Sequence, residues 1–558
     1  MCGIVGCIGP SSEQRQELFL RLAGRLSHRG DSAFQAEHAS TARFIAGTNR
    51  MRITSRADGV QPIHSSDGRV TLCFNGELYN HQQLATDYDL TSNTLLDGDG
   101  AVAADMLALQ GLGAISDFDG MFGMFWFDQS TGAMYFARDH IGIKPLYYGF
   151  ADQYLLFASE MKALAPEPSV TEIFEVSPGT IIEITETGQR PALISKRYFQ
   201  FGDIEASTTA STDEFRQLIL QSVELQCRYS DGPIGVYLSG GVDSSGIYAM
   251  TRLFRNDVCP VVLGTKNSSD LLAARRLTGE FGDGLIVGTC PSEDELFATI
   301  ADTIRCCESF EPNVVRTSSV SLKIALTAKD AGLKVILCGE GADELFCGYP
   351  EFWYMQDEWH ETRLAFLSDL HRTQLQRVDR TSMSVTTEVR VPYLGRQVVR
   401  AALSFQERSA FLGPRLEGWE NKLLLRNALK GILPEWQRTR PKIVLSEGAG
   451  LRGVDPEQGM FSDLANAVLS KRESLDLIRS FPEWKLGSYE EAFYFKLFHE
   501  LGYSKAKFMT NRIRVTKKCS TTEAKLLEPA IKCGPHLEHH GNGHTNSEVE
   551  VIRGNSRR

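Results

Sequence analysis

The chain has 558 residues, with 59 lysines and arginines against 70 aspartates and glutamates, and a formal net charge of −11. At about 150 residues per domain, this length predicts two to four domains. An acidic chain without basic blocks is a poor candidate for binding nucleic acid. No apolar run approaches the roughly 18 residues that a membrane span needs, so we expect no membrane partner. The twelve cysteines are scattered, which indicates a reducing compartment, by default the cytoplasm.

The first 200 residues have the pattern of β-strands. Short alternating apolar segments are separated by Gly, Asp and Asn: RVTLCFNGELYN, MFGMFWFD and YLLFASE. Apolar residues with period two, in several segments, are typical of stacked antiparallel sheets. The stretch 200–215 is rich in Ser and Thr and then acidic, which predicts a linker that ends in a helix cap.

Beyond this linker, helical and strand-like segments alternate. The helical-period segments are EFRQLILQSVELQ, SVSLKIALTAKDAG and EEAFYFKLFHEL, and the short apolar runs are PIGVYL, VCPVVLG and LKVILCG. Such alternation predicts a parallel sheet with helices on its faces. Ligands of these sheets bind at the carboxyl ends of the strands. After about residue 513 the chain is polar and irregular, so we predict a disordered tail over 514–558.

The second residue of the chain is a cysteine, Cys2. Removal of Met1 would leave a thiol and a free α-amino group on this one residue. An α-amino group has a pKa of about 7.7–8, so a useful fraction is neutral at pH 7 and can accept the proton of the thiol. A lone cysteine at a chain start is usually without function, so its role depends on the motifs around it.

Five ordered blocks accompany this cysteine: CGIVGCIG, SHRGD (27–31), NRMRI (49–53), FNGELYNH (74–81) and ARDHIGIKPLYYG (137–149). Together they resemble the class II glutamine amidotransferases, and five blocks over some 160 residues are far more specific than one short motif. The resemblance implies an αββα sandwich of antiparallel sheets over residues 2–205, of the N-terminal-nucleophile type. In that family the N-terminal cysteine, here Cys2, attacks glutamine.

The glutamine site follows from the same resemblance. Attack on an amide carbonyl creates an oxyanion that needs preorganised donors, and Asn75 and Gly76 match the family's oxyanion hole. Arg50 can hold the carboxylate of glutamine in a bidentate pair, and Asp99 can pair with its ammonium group. Two nearby residues are alternatives for these last two roles: Arg52 and Asp97.

A glycine-rich turn, SGGVDS, follows the apolar run PIGVYL. Backbone N–H groups of Ser239, Gly240 and Gly241 can close on phosphate oxygens, and the next helix N-terminus adds favourable partial charge. Asp243 would repel a polyphosphate unless a cation lay between them, which implies Mg²⁺. No GK[ST] follows, so this turn is not a Walker A loop. The motif SGGxDS after an apolar strand resembles the PP-loop ATP pyrophosphatases, which cleave ATP to AMP and pyrophosphate.

A second apolar run ends in an acidic cluster, LKVILCGEGADELFCGY (333–349). Three carboxylates within five residues are costly unless they are solvated or share a metal. The cluster resembles the asparagine synthetase signature S-G-E-G-[SA]-D-E. By that resemblance Asp343 joins Asp243 at Mg²⁺, and Glu340 lies where ammonia must lose a proton. The ATP-binding residues that the family implies are Leu238, Ser239, Gly240, Gly241, Asp243, Ser244, Leu263, Cys338 and Gly339.

Further blocks extend the resemblance to asparagine synthetase over about residues 2–500: ESFEPNVVRTSS (308–319), DRTSMSVTTEVRVPYL (379–394), NKLLLRNAL (421–429) and EEAFYFKLF (490–498). The resemblance implies a doubly wound, parallel-sheet ATP pyrophosphatase domain over residues 206–513. Lys442 matches the family lysine that neutralises charge on the adenylated intermediate. We predict that Glu388 and Arg390 form a buried structural pair, with assistance to proton transfer as the alternative role of Glu388.

The resemblance implies a glutamine-dependent amide synthesis that consumes ATP with Mg²⁺. A carboxylate, by default L-aspartate, is activated as acyl-AMP with release of pyrophosphate. Ammonia from L-glutamine then reaches it through a water-poor tunnel and gives the amide, L-asparagine. The segment RPKIVLSEGAG, the ending PYLG and the acceptor block near Arg316 and Glu308 differ from the family's usual sequence. This leaves a different carboxylate acceptor, for example in secondary metabolism, as an alternative. A non-catalytic homologue and a homodimer also stay open.

Overall fold

The computed structural model describes residues 2–31, 37–53, 61–90, 98–187, 190–206, 211–355, 357–413, 421–441, 460–510, 515–516, 536–537 and 550–552. Two positions named above, Asp97 and Lys442, lie outside these residues. None of the helices within these ranges combines the length and the apolar character that a membrane crossing requires.

The strands of the described residues are, in chain order, β1 (Cys2–Ile8), β2 (Glu37–Ser40), β3 (Phe44–Arg50), β4 (Ile63–His64), β5 (Val70–Leu78), β6 (Gly120–Asp128), β7 (Ala133–Arg138), β8 (Tyr147–Ala151), β9 (Tyr154–Ala158), β10 (Val170–Glu175), β11 (Thr180–Thr187), β12 (Arg190–Arg197), β13 (Ile234–Tyr237), β14 (Val258–Leu263), β15 (Ile286–Gly288), β16 (Val335–Leu337), β17 (Glu388–Arg390), β18 (Val515–Thr516), β19 (His536–Leu537) and β20 (Glu550–Ile552).

The α-helices of the same residues are α1 (Glu13–Gly24), α2 (His81–Asp87), α3 (Asp99–Gln110), α4 (Met161–Leu164), α5 (Thr212–Arg228), α6 (Val242–Thr251), α7 (Ser269–Phe281), α8 (Glu293–Cys307), α9 (Pro312–Asp330), α10 (Ala342–Leu345), α11 (Trp359–Asp369), α12 (Gln374–Met383), α13 (Arg396–Ser404), α14 (Leu423–Ala428), α15 (Glu435–Arg438), α16 (Met460–Val468), α17 (Lys471–Ser480) and α18 (Tyr489–Glu500).

Two antiparallel sheets form the N-terminal half. One has the strand order β10-β8-β9-β1-β3-β2 and the other the order β20-β12-β11-β7-β6-β5-β4. Alternate side chains of a strand face opposite sides of its sheet. On β1, Ile4 and Ile8 therefore pack between the two sheets, whereas Val5 and Cys7 pack on the other face with residues of α1.

The second sheet repeats this arrangement with a helix on its outer face. Cys73 of β5 belongs to the core between the sheets, while its neighbours Leu72 and Phe74 pack with Val102 and Met106 of α3. A helix, two sheets and a further helix are thus stacked in order. This confirms the predicted αββα sandwich. The stacking follows from the period-two pattern of the strands, because each sheet has one apolar face for the other sheet and one for a helix.

A parallel sheet forms the second half, with the strand order β15-β14-β13-β16-β17. From β13 the chain adds β14 and β15 on one side and later β16 and β17 on the other, and every pairing is parallel. This confirms the predicted doubly wound sheet. The strand order reverses between β13 and β16, and the crevice at such a reversal is where ligands bind.

The connection between the halves begins helix α5 with a capping box. The Ser211 hydroxyl accepts a hydrogen bond from Glu214 N at 3.1 Å, and Glu214 Oε2 accepts one from Ser211 N at 3.3 Å. The predicted helix cap is therefore confirmed. Of the tail predicted for 514–558, the structure describes three short strands, and β20 pairs with β12 in antiparallel register.

Candidate functional site

Cys2 begins β1 and is buried, with 6% of its surface exposed. Its backbone N–H donates to Asn75 Oδ1 at 3.1 Å, and its carbonyl oxygen accepts a hydrogen bond from Arg29 Nε at 3.1 Å. Removal of Met1 would turn this nitrogen into an α-amino group that already has a hydrogen-bond acceptor beside it. Burial raises the pKa of the Cys2 thiol, with Arg50 among the groups that oppose this shift.

Strand β5 carries the two predicted oxyanion donors. The Asn75 side chain is fully buried, and its Nδ2 has no hydrogen-bond partner among the described residues. A buried amide left unpaired costs about 1–3 kcal/mol, so this donor is suited to an oxyanion that arrives with the substrate. A Cβ at Gly76 would lie 2.2 Å from Met121 O, so no side chain fits there. The structure brings both residues beside Cys2, and their roles stay predictions.

The residues predicted to hold the two ends of glutamine lie on β3 and α3. Arg50 is the register partner of Cys2 across β1 and β3, whereas Arg52 is exposed beyond the strand end. The register therefore favours Arg50 over Arg52. Asp99 begins α3, and its Oδ2 accepts a hydrogen bond from Leu78 N at 2.8 Å. Burial raises the pKa of the Asp99 carboxyl.

Two polar side chains at this site were missed from the sequence. Gln61 Nε2 lies 3.6 Å from Cys2 Sγ. Glu77 follows Gly76 on β5, and its Oε2 lies 3.3 Å from an Nη atom of Arg390 in the second half of the chain. The position of Glu77 inside the block FNGELYNH was the available signal. Gln61-Pro62 served from the sequence only as the reference position whose distance favours Arg50, with no role predicted for the Gln61 side chain.

A cavity of about 420 Å³ opens at the carboxyl ends of β13 and β16. It is lined by most of the residues predicted to bind or activate substrates there: Leu238, Ser239, Asp243, Ser244, Leu263, Cys338, Gly339, Glu340 and Asp343. Gly240 and Gly241 belong to the same turn but are not among the lining residues. The Gly240 carbonyl accepts hydrogen bonds from Gln437 and Arg440.

Asp243 and Asp343 reach the cavity from two adjacent strand ends, with Lys422 between them. Lys422 Nζ lies 2.6 Å from Asp243 Oδ2 and 2.6 Å from Asp343 Oδ1. Asp243 Oδ1 is buried and accepts no hydrogen bond within the part of the chain that the structure describes. Mg²⁺ is commonly held by one or two carboxylates together with substrate phosphates, so these residues fit the predicted ion.

Lys422, which pairs with both of these carboxylates, was missed from the sequence, where the neutralising role is predicted for Lys442. Its side chain is 1% exposed, and it precedes α14 with a φ of +57°. A buried ammonium is costly unless it is paired, and here two carboxylates compensate it. No pattern in NKLLLR pointed to this role, because a lysine at the start of a helical segment is usually exposed to water.

Glu340 follows β16 and is paired with an arginine of α12. Arg377 Nη2 donates to Glu340 Oε1 at 2.6 Å, and Arg377 Nη1 donates to Ser321 Oγ at 2.7 Å. Arg377 lines the cavity and was also missed from the sequence. Arg316 and Glu308 are each held in a buried ion pair, with Glu490 and Arg380 respectively. Their neighbour Thr317 lines the cavity, so acceptor binding near this block stays a prediction.

Comparisons with known proteins identify the family. The model of a glutamine amidotransferase domain matches residues 1–198, and the model of asparagine synthase matches residues 214–362 and 354–480. Asparagine synthetase [glutamine-hydrolyzing] 3 of Arabidopsis thaliana is 29% identical over 537 residues, which cover 91% of this chain and 88% of that protein. The chain belongs to the glutamine-hydrolysing asparagine synthetase family.

A second relative supports the same assignment over the same length. Asparagine synthetase B of Escherichia coli (strain K12) is 28% identical over 525 residues, which cover 90% of this chain and 91% of that protein. Among solved structures, a glutamine phosphoribosylpyrophosphate amidotransferase from B. subtilis is 16% identical, with 51% of this chain and 66% of that chain covered at a TM-score of 0.28. As a member of this synthetase family, the protein is an ATP-consuming ligase that carries out glutamine-dependent amide synthesis.

Helix α12 connects the two sites of this synthetase. Two residues after Arg377, Asp379 accepts hydrogen bonds from Arg29 Nη1 at 2.8 Å and Nη2 at 3.0 Å. Arg29 is the residue that also binds the Cys2 carbonyl. Burial opposes ionisation of Asp379, but Arg29 and Lys144 lower the pKa of its carboxyl far below the ordinary value. One helix thus contacts Glu340 of the cavity through Arg377 and the Cys2 backbone through Asp379 and Arg29.

The predicted pair of Glu388 and Arg390 is confirmed. Arg390 Nε donates to Glu388 Oε1 at 2.5 Å, and both side chains are fully buried. Burial alone would raise the pKa of Glu388, but Arg390 and then other positive groups lower it to about 2. The same guanidinium reaches Glu77, so this pair joins the amidotransferase half to the synthetase half.

Proposed function

We propose that this synthetase converts L-aspartate to L-asparagine through an acyl-AMP intermediate. The aspartate side-chain carboxylate attacks the α-phosphorus of ATP, which forms a mixed anhydride and expels pyrophosphate. Ammonia from glutamine then attacks the acyl carbon and expels AMP. The observation that supports this best is the cavity at the strand-order reversal, where Asp243, Asp343 and Lys422 gather beside Glu340.

Cys2 supplies the ammonia in this proposal. Its α-amino group takes the thiol proton, and the sulfur attacks the side-chain amide carbon of glutamine. The Asn75 side-chain amide and the Gly76 backbone N–H stabilise the oxyanion. The tetrahedral adduct collapses to a glutamyl thioester and ammonia, and water hydrolyses the thioester to glutamate. Arg50 and Asp99 hold the two charged ends of glutamine.

The cavity residues handle the nucleotide and the acceptor. Mg²⁺, held by Asp243 and Asp343, would neutralise the polyphosphate and the departing pyrophosphate. Lys422 adds a positive charge at the same place, and Lys442 keeps its predicted role beside the acyl-AMP. The Glu340 carboxylate accepts the proton that ammonia loses as it attacks, and Arg377 holds that carboxylate in place.

The domain limits that we propose are 2–205 for the amidotransferase and 206–513 for the synthetase. The two matched family models lie inside these limits apart from residue 1. A cytoplasmic location, a homodimer and a disordered tail over 514–558 stay predictions.

An isotope experiment tests the acyl-AMP route and the acceptor together. The full chain is given ATP, Mg²⁺, an ammonium salt and L-aspartate labelled with ¹⁸O in its side-chain carboxylate. Attack by this carboxylate leaves one labelled oxygen on phosphorus, so we expect singly labelled AMP and one pyrophosphate per L-asparagine. Unlabelled AMP would contradict the acyl-AMP step. Pyrophosphate release with another carboxylic acid but not with aspartate would contradict the proposed acceptor.

A Cys2→Ala variant is the matched control for the nitrogen source. We expect it to lose glutamine-dependent synthesis and to retain synthesis from ammonium at the level of the unmodified chain. Retention of glutamine-dependent synthesis would show that Cys2 is not the nucleophile.

A further inference from the structure

The side-chain amide of Gln61 forms three hydrogen bonds with two residues of the amidotransferase half, Thr48 and Phe74. Its Oε1 accepts hydrogen bonds from Phe74 N at 2.9 Å and from Thr48 Oγ1 at 3.0 Å. Its Nε2 donates to Phe74 O at 2.9 Å. Gln61 is 8% exposed, so these bonds form away from water, where they are strongest.

This network determines which end of the amide faces the nucleophile. Rotation of the carboxamide by 180° would place Oε1 against Phe74 O and the NH₂ group against Phe74 N. Both contacts would be repulsive, because two acceptors or two donors would meet. The remaining N–H of Nε2 therefore points to Cys2 Sγ, 3.6 Å away, which is an ordinary distance for a hydrogen bond to sulfur.

We propose that Gln61 is a catalytic residue of the glutaminase site, whose Nε2–H group stabilises the thiolate of Cys2. The inference rests on the proposed attack of Cys2 on glutamine. The thiol proton passes to the α-amino group of Cys2, and the sulfur that remains negative receives the hydrogen bond. When water later opens the thioester, the sulfur leaves as a thiolate and receives the same bond again.

The physical need for such a donor comes from burial. Cys2 is removed from water, which disfavours the charged form of its side chain, and burial raises the pKa of its thiol. A hydrogen bond to a charged group is roughly twice as strong as one between neutral groups, so it can offset part of that cost. Gln61 also forms two hydrogen bonds with the backbone of Phe74, the residue before Asn75 on β5. The Gln61 side chain is therefore fixed relative to both the Cys2 sulfur and the strand that carries Asn75.

Two substitutions at this position test the proposal. Gln61→Met removes both N–H groups without adding charge, and Gln61→Glu keeps the shape but replaces the donor by a carboxyl. In the full chain we expect kcat/KM for glutamine hydrolysis to fall about tenfold or more at neutral pH. The acid limb of its pH profile should move up by about one pH unit, because the thiolate becomes harder to form.

Asn49 provides the matched control. It is a buried carboxamide on β3 whose Nδ2 donates to Ala23 O at 2.9 Å rather than to the Cys2 sulfur. Asn49→Asp and Asn49→Leu should lower stability without moving the acid limb. Synthesis from ammonium, measured in every variant, reports whether the second half of the chain is intact.

A direct measurement of the thiolate covers the case in which the variants lose all activity. The rate of Cys2 alkylation by iodoacetamide, followed by mass spectrometry of the N-terminal peptide, is measured against pH. An upward shift of this profile in both Gln61 variants, but not in the Asn49 variants, supports the proposal. An unchanged alkylation profile, or an unchanged acid limb in an active variant, would overturn it. Failure of Cys2→Ala to abolish glutamine use would instead refute the nucleophile itself.

Discussion

The two reactive centres of this synthetase differ in how their polar groups are satisfied. Around Cys2, the Asn75 side chain, the Arg29 guanidinium and the Gln61 side chain form hydrogen bonds with the nitrogen, the oxygen and the sulfur, respectively, of this one residue. In the cavity at the ends of β13 and β16, the negative charges of Asp243 and Asp343 are partly compensated by the ammonium of Lys422. The first centre is assembled by protein groups alone, whereas the second holds charges that a nucleotide and a cation would rearrange.

This difference follows from the chemistry of the two substrates. Glutamine is a small zwitterion, so donors placed in advance can recognise its single developing oxyanion. A nucleotide brings several negative charges and its own cation, so the protein must offer carboxylates that remain stable before the ligand arrives. A buried lysine between them serves that purpose, since unpaired buried carboxylates would be protonated or would destabilise the fold.

The largest effect is expected from Lys422→Met, which removes the positive charge that pairs with Asp243 and Asp343. The variant leaves two partly buried carboxylates without their ammonium, which should lower the free energy of unfolding. Pyrophosphate release should fall at least about 100-fold. Because a cation can replace the ammonium, millimolar Mg²⁺ should raise the unfolding temperature of the variant more than that of the unmodified chain.

Lys505→Met is the control for this experiment. The Lys505 ammonium binds the carbonyl oxygens of Ala165 and Glu167 rather than the two cavity carboxylates. We expect its response to Mg²⁺ to equal that of the unmodified chain. An equal Mg²⁺ response in Lys422→Met, with pyrophosphate release retained, would contradict the role assigned to Lys422.

A smaller effect is expected from Asp379→Asn, which weakens the connection between the centres. The substitution leaves Arg29 without its bidentate carboxylate, and breaking a buried pair of this kind costs about 3 kcal/mol. Because Arg29 also binds the Cys2 carbonyl, glutamine-dependent synthesis should fall more than ammonium-dependent synthesis. Urea unfolding and the ratio of the two rates measure these effects.

The exposed carboxylate of Glu435, paired with Arg438 on α15, offers a comparison for that substitution. Glu435→Gln should change neither the unfolding free energy nor the ratio of rates to a measurable extent. If Asp379→Asn behaved in the same way, α12 would not couple the Cys2 site to the cavity.

The smallest effect concerns the pH dependence of the interface pair of Glu388 and Arg390. The pKa of Glu388 falls from its ordinary value of 4.5 to about 2 on folding, so its stabilisation is fully present above pH 4.5 and is lost as the pH falls toward 2. Down to pH 3 this loss amounts to about 2 kcal/mol. Urea unfolding at pH 6, 4 and 3 should therefore show a steeper decline for the unmodified chain than for Glu388→Gln. Parallel declines would contradict the lowered pKa.

Much of the fold could be predicted because local patterns determine it. Period-two segments became β5, β6 and β9, and short apolar runs became β13, β14 and β16. The Ser/Thr-rich and then acidic stretch 200–215 predicted the cap of α5. The motifs SGGVDS and GEGADE each follow a strand of one parallel sheet, so topology alone brings Asp243 and Asp343 together.

The contacts that complete both sites could not be predicted, because each depends on tertiary structure. Arg29 and Asp379 are 350 positions apart in the chain, and nothing local to either residue indicates the other. Gln61 reaches the Cys2 sulfur only because β1 and β5 lie in facing sheets. Lys422 was hidden in a segment with the pattern of an ordinary amphipathic helix, and the left-handed backbone that directs it inward appears only in the structure.

We expect the nitrogen released at Cys2 to be consumed in the cavity of the same molecule. Glutamine labelled with ¹⁵N in its side-chain amide, mixed with an equimolar unlabelled ammonium salt, ATP, Mg²⁺ and L-aspartate, tests it directly. We expect mass spectrometry of the asparagine to show ¹⁵N in nearly all of the amide formed, and unlabelled amide alone with Cys2→Ala. Label diluted to the level of the mixed ammonia pool would contradict transfer within one chain.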